Sequence, residues 1–379
     1  MFAIRPDVRD PRGGGGGGYR HVVRAFSCSR CGSLVNVEDT LCLTCQAALG
    51  YAWITPDRMH ALDGAGAVTV DGSLWIRCSN IVWGCNWLLP EADDAAQCRS
   101  CRLTMERPAA DDTLALEQLG LAQYAQRRLV IQLLEHGLPI DSHEDRQGGL
   151  GFRLLSSRTS GQAVTIGHAD GVVTIDLTEV DHAYRESLRV RLGEPYRTML
   201  GHYRHEIGHY YWQVLVDGGP WLDRCRRLFG DDRASYAEAI DRHYRLGAPA
   251  SWSDSYISEY ATMHPWEDFA ETWAHYLHIT DVLQTVASYG LTLDGVSADG
   301  LRETARLALT TAPPLSKTAY HELSIDEILA FWHPLAIAFN QVNRSMGKTD
   351  LYPFTITTPV REKLAFVHEV VGGAARRGA

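Results

Sequence analysis

The sequence predicts an α+β protein in which a mainly helical domain with a small sheet follows a small module built on metal-binding cysteines. Two observations support this fold class. Eight cysteines form two quartets before residue 105, and three strand-like runs between residues 152 and 177 precede a mainly helical remainder. With 379 residues, 45% of them hydrophobic, the chain can bury one large core beside an appended module. We expect four segments: a disordered glycine-rich tail (1–24), a zinc-ribbon unit with both quartets (25–105), the main domain (106–345) and a C-terminal tail (346–379).

The composition and the N-terminal segment restrict the partners and the compartment. Residues 1–24 contain six consecutive glycines, Gly13–Gly18, and lack the apolar core of a secretory signal. No apolar stretch approaches the ~20 residues of a membrane span. Since the nine cysteines follow no secretory signal, we expect a cytoplasmic protein. The formal net charge of −10, from 46 acidic and 36 basic residues, argues against binding to nucleic acid or to an anionic membrane.

The first cysteine quartet has the spacing of a zinc ribbon. Cys28-x-x-Cys31 and Cys42-x-x-Cys45 form two knuckles, each of which can bring two thiolates to one tetrahedral ion. Four thiolates leave no open position, so this ion would stabilise the fold and do no chemistry. The ribbon could also recruit a protein partner, whereas the acidic residues around it argue against nucleic acid.

The second quartet consists of Cys78, Cys85, Cys98 and Cys101, and only its second half is a regular Cys-x-x-Cys knuckle. We expect a second four-cysteine site here, which gives one or two structural zinc ions beside a catalytic one. Disulfides are the alternative, but knuckles without a secretory signal argue against them. Cys225 remains, and we expect it to be a small buried apolar side chain.

The secondary structure around these motifs can be predicted from capping residues and strand-forming runs. Asp111–Thr113 should cap a helix that runs to about His136 and stops at Gly137. Ser324 and Glu327 form a capping box for a helix to about residue 340, and a short helix is expected after residue 359. The predicted strands are 68–70, 74–76, 152–155, 163–166 and 172–177, with residues 167–171 as the turn between the last two.

The most informative segment is His205-Glu206-Ile207-Gly208-His209, an H-E-x-x-H pattern. On a helix, His205 and His209 lie on one face because they are four residues apart, and two imidazoles can hold a zinc ion. Glu206 can then take a proton from a water molecule at the ion. Pro195 upstream and the segment Gly218–Pro220 downstream suggest the limits of this helix.

A catalytic zinc ion needs a third protein ligand and one open position. Trp212 and Leu215 stand where the extended H-E-x-x-H-x-x-G-x-x-H pattern requires glycine and histidine, which excludes that ligand set. Further along, Glu267 and Glu271 are four residues apart on a helix predicted to start at Pro265. One carboxylate can bind the ion, and the other can accept a ring N–H from a zinc-bound histidine.

These segments resemble known metallopeptidases. Glu267-x-Phe-Ala-Glu271 resembles the glutamate helix of the gluzincins, which supplies the third zinc ligand. The cysteine pairs, then GHYRHEIGHYYW and HPWEDFAETWAHYLHI, resemble over about residues 25–345 the bacterial zinc-binding metallopeptidases with an N-terminal zinc ribbon. Tyr260, seven residues before Glu267, resembles the tyrosine that assists at the oxyanion in sites of the anthrax lethal factor type.

The resemblance implies a zincin-like metallopeptidase domain, with a sheet edge beside the histidine helix to which an extended peptide could add as a strand. Together with the spacing, it assigns His205, His209 and Glu267 to the metal. Glu206 is then the general base and Glu271 the partner that orients a histidine.

Other assignments stay open at the level of the sequence. Glu267 could be a carboxylate favoured by the helix dipole, and Glu271 could be the ligand in its place. His264, His275 or His278 could each bind the ion. His202, one turn before His205, is expected to be a surface or packing residue.

The expected function is zinc-dependent hydrolysis of a peptide or protein substrate. The alternative is a zinc-stabilised scaffold, in which the H-E-x-x-H site does no chemistry and the ribbon recruits a partner. An open fourth coordination position would favour the enzyme, and a fourth side chain such as His264 would favour the scaffold. The motif also permits hydrolysis of non-peptide amides.

Overall fold

The computed structural model describes residues 25–160, 164–181, 184–186, 197–291 and 323–377. The expected tail, residues 1–24, and Pro195 lie outside these ranges. The strands are β1 (Phe26–Cys28), β2 (Leu34–Val35), β3 (Leu49–Tyr51), β4 (Arg58–Ala61), β5 (Ala67–Val70), β6 (Ser73–Arg77), β7 (Leu88–Pro90), β8 (Thr104–Glu106), β9 (Gly151–Leu155), β10 (Gly167–Ala169) and β11 (Val172–Asp176). The longer helices are α1 (Thr113–Glu135), α2 (Met199–Tyr211), α3 (Leu222–Phe229), α4 (Tyr236–Leu246), α5 (Pro265–Ser288), α6 (Ile325–Ser345) and α7 (Thr358–Arg377).

The cysteine module consists of two small sheets, with strand orders β2-β1-β4-β3 and β5-β6-β7. Asn86 joins its two halves, because its side-chain amide donates hydrogen bonds to the backbone oxygens of Val37 at 2.6 Å and Asp39 at 3.0 Å. The module then docks on α1, where the Gln126 amide donates to the backbone oxygen of Ser100 at 2.8 Å. The predicted strands at 68–70 and 74–76 are confirmed as parts of β5 and β6.

The main domain has one four-stranded sheet of order β10-β11-β9-β8. Strands β8 and β11 both run parallel to β9, whereas β10 and β11 form an antiparallel hairpin. Strand β8 directly follows the second quartet, so the cysteine module continues into the sheet of the main domain. The edge strand β10 packs against α2.

The prediction for the β10–β11 hairpin was wrong in the bounds of its first strand and of its turn. The strand is Gly167–Ala169, and residues 164–166 of the predicted run 163–166 are not in a strand, while residue 163 lies outside the described ranges. The turn is the pair Asp170-Gly171, with φ of +49° and +84°. Asp-Gly tolerates positive φ at both positions and forms a two-residue turn, and this local chemistry decides the pairing over the apolar run before it.

The predicted limits of helix α1 are confirmed. The Asp112 side chain accepts a hydrogen bond from the backbone N–H of Ala115 at 3.0 Å, and Gly137 follows the helix with φ +64°. Helix α2 begins after Thr198, whose hydroxyl accepts from the N–H of Gly201 at 3.0 Å. It continues into one π-helical turn, Trp212–Val216, and ends before Gly218 as predicted.

Helices α2 and α5 cross at Gly208. A Cβ atom there would lie 2.9 Å from the Cα of Ala270 and 3.1 Å from the Cβ of Trp273. A larger residue would push the helices apart, so the glycine of the H-E-x-x-H segment permits their close packing. This contact brings the histidine helix and the glutamate helix face to face.

The C-terminal segment differs from the expected tail over 346–379. Helix α7 is 20 residues long and packs against α5. Its residues Leu364, Phe366 and Val367 are buried, so it belongs to the core of the main domain. Helix α6 has the predicted capping box of Ser324 and Glu327 but extends to Ser345. In the described part of the chain, no helix combines the length and apolarity that a bilayer crossing requires.

Candidate active site

Three donor atoms converge between α2 and α5. His205 Nε2 lies 2.9 Å from Glu267 Oε2 and 3.2 Å from His209 Nε2. His209 Nε2 lies 3.5 Å from the same Glu267 oxygen. Ligands of a tetrahedral zinc ion are about 3.3 Å apart when the bonds are about 2.05 Å long. The three donors are therefore spaced as zinc ligands are.

The surroundings of His205 favour positive charge at this point. Its Nδ1 lies 2.7 Å from Glu271 Oε1, and Glu271 Oε2 accepts a hydrogen bond from the Ser258 hydroxyl at 2.6 Å. Burial alone would lower the pKa of His205, but its hydrogen bonds to Glu267 and Glu271 outweigh burial and raise that pKa well above its usual value. A carboxylate at each ring nitrogen thus makes this site attractive to a cation.

Glu206 lies beside these donors, and one of its oxygens has no hydrogen-bond partner among the described residues. The residue is buried, and Oε2 makes no hydrogen bond to the described residues. Burial raises the pKa of Glu206, and the nearby His205 and His209 oppose that rise. A buried carboxylate with a free oxygen is suited to exchange a proton with a bound molecule.

A cleft of about 410 Å³ opens beside His205 and Glu206. Tyr260 also lines it, with its ring centre 5.8 Å from that of His205. Burial, followed by the negative charge of Glu267, raises the pKa of Tyr260 far above its usual value, so the hydroxyl stays protonated and can donate a hydrogen bond. The cleft gives a substrate access to these side chains.

The structure also separates the alternative ligands from the convergent group. His264 caps α5: its Nδ1 accepts from the N–H of Trp266 at 3.1 Å, and its Nε2 donates to the backbone oxygen of Ala234 at 3.0 Å. His275 Nδ1 lies 2.9 Å from the Tyr352 hydroxyl. Among the described residues, the donor group contains His205, His209 and Glu267 and neither of these histidines. His202, whose Nδ1 is 3.7 Å from Glu179, and His278 are also outside it.

Sequence reasoning missed two aromatic residues at the site. The Tyr236 hydroxyl donates a hydrogen bond to Glu267 Oε1 at 2.9 Å. The Trp266 ring covers His209, with ring centres 4.0 Å apart. Trp266 lies next to Glu267 in the sequence and could have been noticed, whereas Tyr236 lies 31 residues away with no local pattern to mark it.

Each cysteine quartet gathers its sulfur atoms within 4.8 Å of one another. The Sγ atoms of Cys31 and Cys42 are 3.6 Å apart, and those of Cys85 and Cys98 are 3.8 Å apart. A disulfide requires about 2.05 Å, whereas thiolates on a tetrahedral zinc ion are about 3.8 Å apart. Both quartets therefore fit zinc. Cys225 is buried, at 4% exposure, and belongs to neither quartet.

Comparison with known proteins agrees with this geometry. Residues 115–370 match the family described as "putative zinc-binding metallo-peptidase", and residues 25–112 match a zinc-ribbon domain. Proteins of Mycobacterium tuberculosis and Mycobacterium bovis, both described as uncharacterized, are 44% identical over 356 residues, which cover 93% of this chain and 96% of each relative. No solved structure matches the chain. The chain therefore belongs to that metallopeptidase family and carries a zinc-ribbon domain ahead of its family domain.

Proposed function

We propose that this protein is a zinc-dependent peptidase that hydrolyses peptide bonds in the cleft beside α2. The observation that carries the proposal is the convergence of three zinc donors next to an open cleft and a buried carboxylate with a free oxygen, Glu206. A catalytic zinc site differs from a structural one by this combination of three protein ligands and an open position.

The side chains of the site have distinct tasks in this proposal. His205, His209 and Glu267 hold the zinc ion, which when bound polarises a carbonyl group and lowers the pKa of water toward ~7. Glu206 accepts a proton from the attacking water and passes it to the leaving amine. Tyr260 donates a hydrogen bond to the carbonyl oxygen as negative charge develops there.

Glu271 holds the ligand His205 in place. It accepts a hydrogen bond from the Nδ1–H of His205, and the Ser258 hydroxyl donates to its second oxygen. This leaves Nε2 of the neutral His205 ring as the ligand atom and fixes the plane of the ring. The function of Glu271 is therefore to orient a ligand, not to bind the ion.

The described residues do not offer the fourth ligand that would favour the scaffold alternative. A fourth side chain on the ion, such as His264, would favour that alternative. Both His264 nitrogens bond to backbone groups at the start of α5. Within the described ranges, three side chains offer donors at this point and no fourth joins them, which supports the enzyme.

We further propose two structural zinc ions, one on each cysteine quartet, and a reducing cytoplasmic location that keeps these thiols free of disulfides. For the substrate we propose an extended peptide. Strand β10 is an edge of the sheet and packs against α2, so a peptide could pair with it and lie along the cleft.

A cleavage profile tests this function. Purified protein is incubated with a proteome-derived peptide library, beside Glu206→Gln and the control Glu117→Gln, which changes an exposed glutamate on α1. We expect new peptide termini with wild type and the control, and a loss of roughly 10²–10⁴-fold with Glu206→Gln because glutamine accepts no proton. Equal cleavage by wild type and Glu206→Gln would refute Glu206 as the base. Cleavage of small amides but no peptide would favour the non-peptide hydrolase.

A further inference from the structure

Helix α4 lies beside the metal donors but contributes little to the core. Ala239 is its one buried residue, while Tyr244 and Leu246 are largely exposed. Its first residue, Tyr236, is 38% exposed and still reaches Glu267.

A helix with so small an apolar contact depends on specific contacts. Further along the helix, Arg242 donates to the backbone oxygen of Met263 at 3.4 Å and the His243 ring packs edge-on against Tyr260. The contacts that reach Glu267 lie at its N-terminal end.

Two hydrogen bonds fasten the start of α4 to the start of α5. His264 Nε2 donates to the backbone oxygen of Ala234 at 3.0 Å, and the Tyr236 hydroxyl donates to Glu267 Oε1 at 2.9 Å. The Tyr236 ring also packs edge-on against His264, with centres 5.4 Å apart, and against Trp266 at 6.0 Å. The phenol is thus oriented by the same turn of α5 that carries Glu267.

The two oxygens of Glu267 have different partners. Oε2 faces His205 Nε2 and His209 Nε2, at 2.9 and 3.5 Å. Oε1 accepts a hydrogen bond from the Tyr236 hydroxyl at 2.9 Å. A carboxylate that offers both oxygens to a zinc ion would use an additional coordination position, whereas one whose second oxygen is hydrogen-bonded binds through a single atom.

We infer that Tyr236 is a positioning residue that makes Glu267 a one-oxygen zinc ligand and thereby keeps the open coordination position free. This rests on the proposed zinc site and deepens it. Tyr236 and Tyr260 then have separate tasks. Tyr260 lines the cleft, where a substrate can reach it, and its side chain also interacts with that of Tyr236. Tyr236 does not line the cleft, and its hydroxyl donates a hydrogen bond to Glu267.

The test compares Tyr236→Phe with wild type in the full-length protein. Phenylalanine keeps the ring contacts with His264 and Trp266 and removes only the hydroxyl. A chelator titration, read by elemental analysis, measures the affinity of the zinc ion on His205, His209 and Glu267, which we expect to be the most weakly held. We expect the affinity to fall roughly 10–100-fold, as for loss of other groups that hold zinc ligands. After refilling that site with Co²⁺, the visible absorption should change as the freed Glu267 oxygen enters the coordination sphere.

Tyr289→Phe serves as the matched control, and Tyr260→Phe is a comparison within the site. Tyr289→Phe removes an exposed hydroxyl after the C-terminal end of α5 and should change neither the affinity nor the Co²⁺ spectrum. Tyr260→Phe should leave the zinc affinity close to that of wild type. Thermal unfolding of each variant verifies that the fold is intact.

An unchanged affinity or an unchanged Co²⁺ spectrum in Tyr236→Phe would overturn the inference. Glu267→Ala distinguishes this failure from failure of the zinc site itself. If Glu267→Ala empties the site while Tyr236→Phe has no effect, the ligand set stands and the role of Tyr236 is wrong. If Glu267→Ala keeps the zinc ion, the proposed ligand set is wrong, and the inference about Tyr236 is overturned with it.

Discussion

The cysteine quartets differ from the helix site, formed by His205, His209 and Glu267, in the number of their donors and in their surroundings. The second quartet encloses four buried cysteines, whereas the helix site offers three donors beside a cleft of about 410 Å³. Four thiolates complete a tetrahedron and leave no position for a substrate, so such a site can only stabilise the fold. In the proposed function, the number of donors and the adjoining cleft thus distinguish a catalytic zinc site from a structural one within the same chain.

The two regions also differ in what brings their donors together. The first quartet contains two Cys-x-x-Cys knuckles and the second contains one, and in each knuckle a local turn places two sulfur atoms side by side. At the helix site, His205 and Glu267 are 62 residues apart and meet because α2 and α5 pack closely at Gly208. The helix site therefore depends on the core of the main domain, while a ribbon depends mainly on its own ion.

The largest expected effect is on stability, at the second quartet. Cys98→Ser removes one ligand from a fully buried group of four cysteines. Because the binding free energy of a structural zinc ion, about 10–16 kcal/mol in zinc-finger peptides, is folding free energy, we expect the module to unfold and one zinc ion to be lost. Elemental analysis and thermal unfolding measure both effects.

Cys225→Ser is the matched control for this variant, since Cys225 is a buried cysteine outside both quartets. It should keep the zinc content of wild type. If Cys98→Ser also kept that content, the second quartet would not be a zinc site.

The next effect is on metal occupancy at the helix site. Glu267→Ala removes a donor and should lower the zinc affinity by more than roughly 100-fold, whereas Glu271→Ala, which removes the partner of His205, should lower it roughly 10–100-fold. Chelator titration of both variants compares them directly. The reverse order would assign the ligand to Glu271.

A smaller effect is expected from the buried ion pair that joins α7 to the glutamate helix. Lys363 Nζ lies 2.6 Å from Asp268 Oδ2, and both side chains are buried. Lys363→Met leaves this carboxylate without its partner and should lower the free energy of unfolding by about 3 kcal/mol. Lys348→Met, at an exposed lysine, should leave the denaturant midpoint unchanged. Equal midpoints for the two variants would show that this ion pair does not hold α7 in place.

The smallest effect is expected at Ser258. Ser258→Ala removes the hydrogen bond to Glu271 Oε2 and should weaken zinc binding by about 1 kcal/mol, or roughly fivefold. The matched variant Ser253→Ala changes an exposed serine and should have no effect on zinc affinity. An effect as large as that of Glu271→Ala would mean that Ser258 does more than fix one oxygen.

Local patterns in the sequence predicted the parts of the site that lie on single helices. Positions four apart share a helix face, so His205 with His209, and Glu267 with Glu271, could be placed from their spacing alone. The knuckle spacing likewise predicted the cysteine groups. In each case the information lies within a few residues along the chain.

Contacts between distant segments could not be predicted in this way. Tyr236 reaches Glu267 because contacts such as the hydrogen bond from His264 to the Ala234 backbone hold α4 against the start of α5. Helix α7 contributes to the core through packing that no short pattern encodes. Strand β10 was misplaced because the Asp170-Gly171 turn, with positive φ at both residues, outweighed the apolar run before it.

The central claim is that the helix site is an open zinc site with Glu206 as its base. Zinc content and peptide cleavage measured on the same samples of wild type and Glu206→Gln test it most directly. We predict equal zinc content and a loss of turnover of roughly 10²–10⁴-fold in the variant. Equal zinc content with undiminished cleavage would contradict the claim.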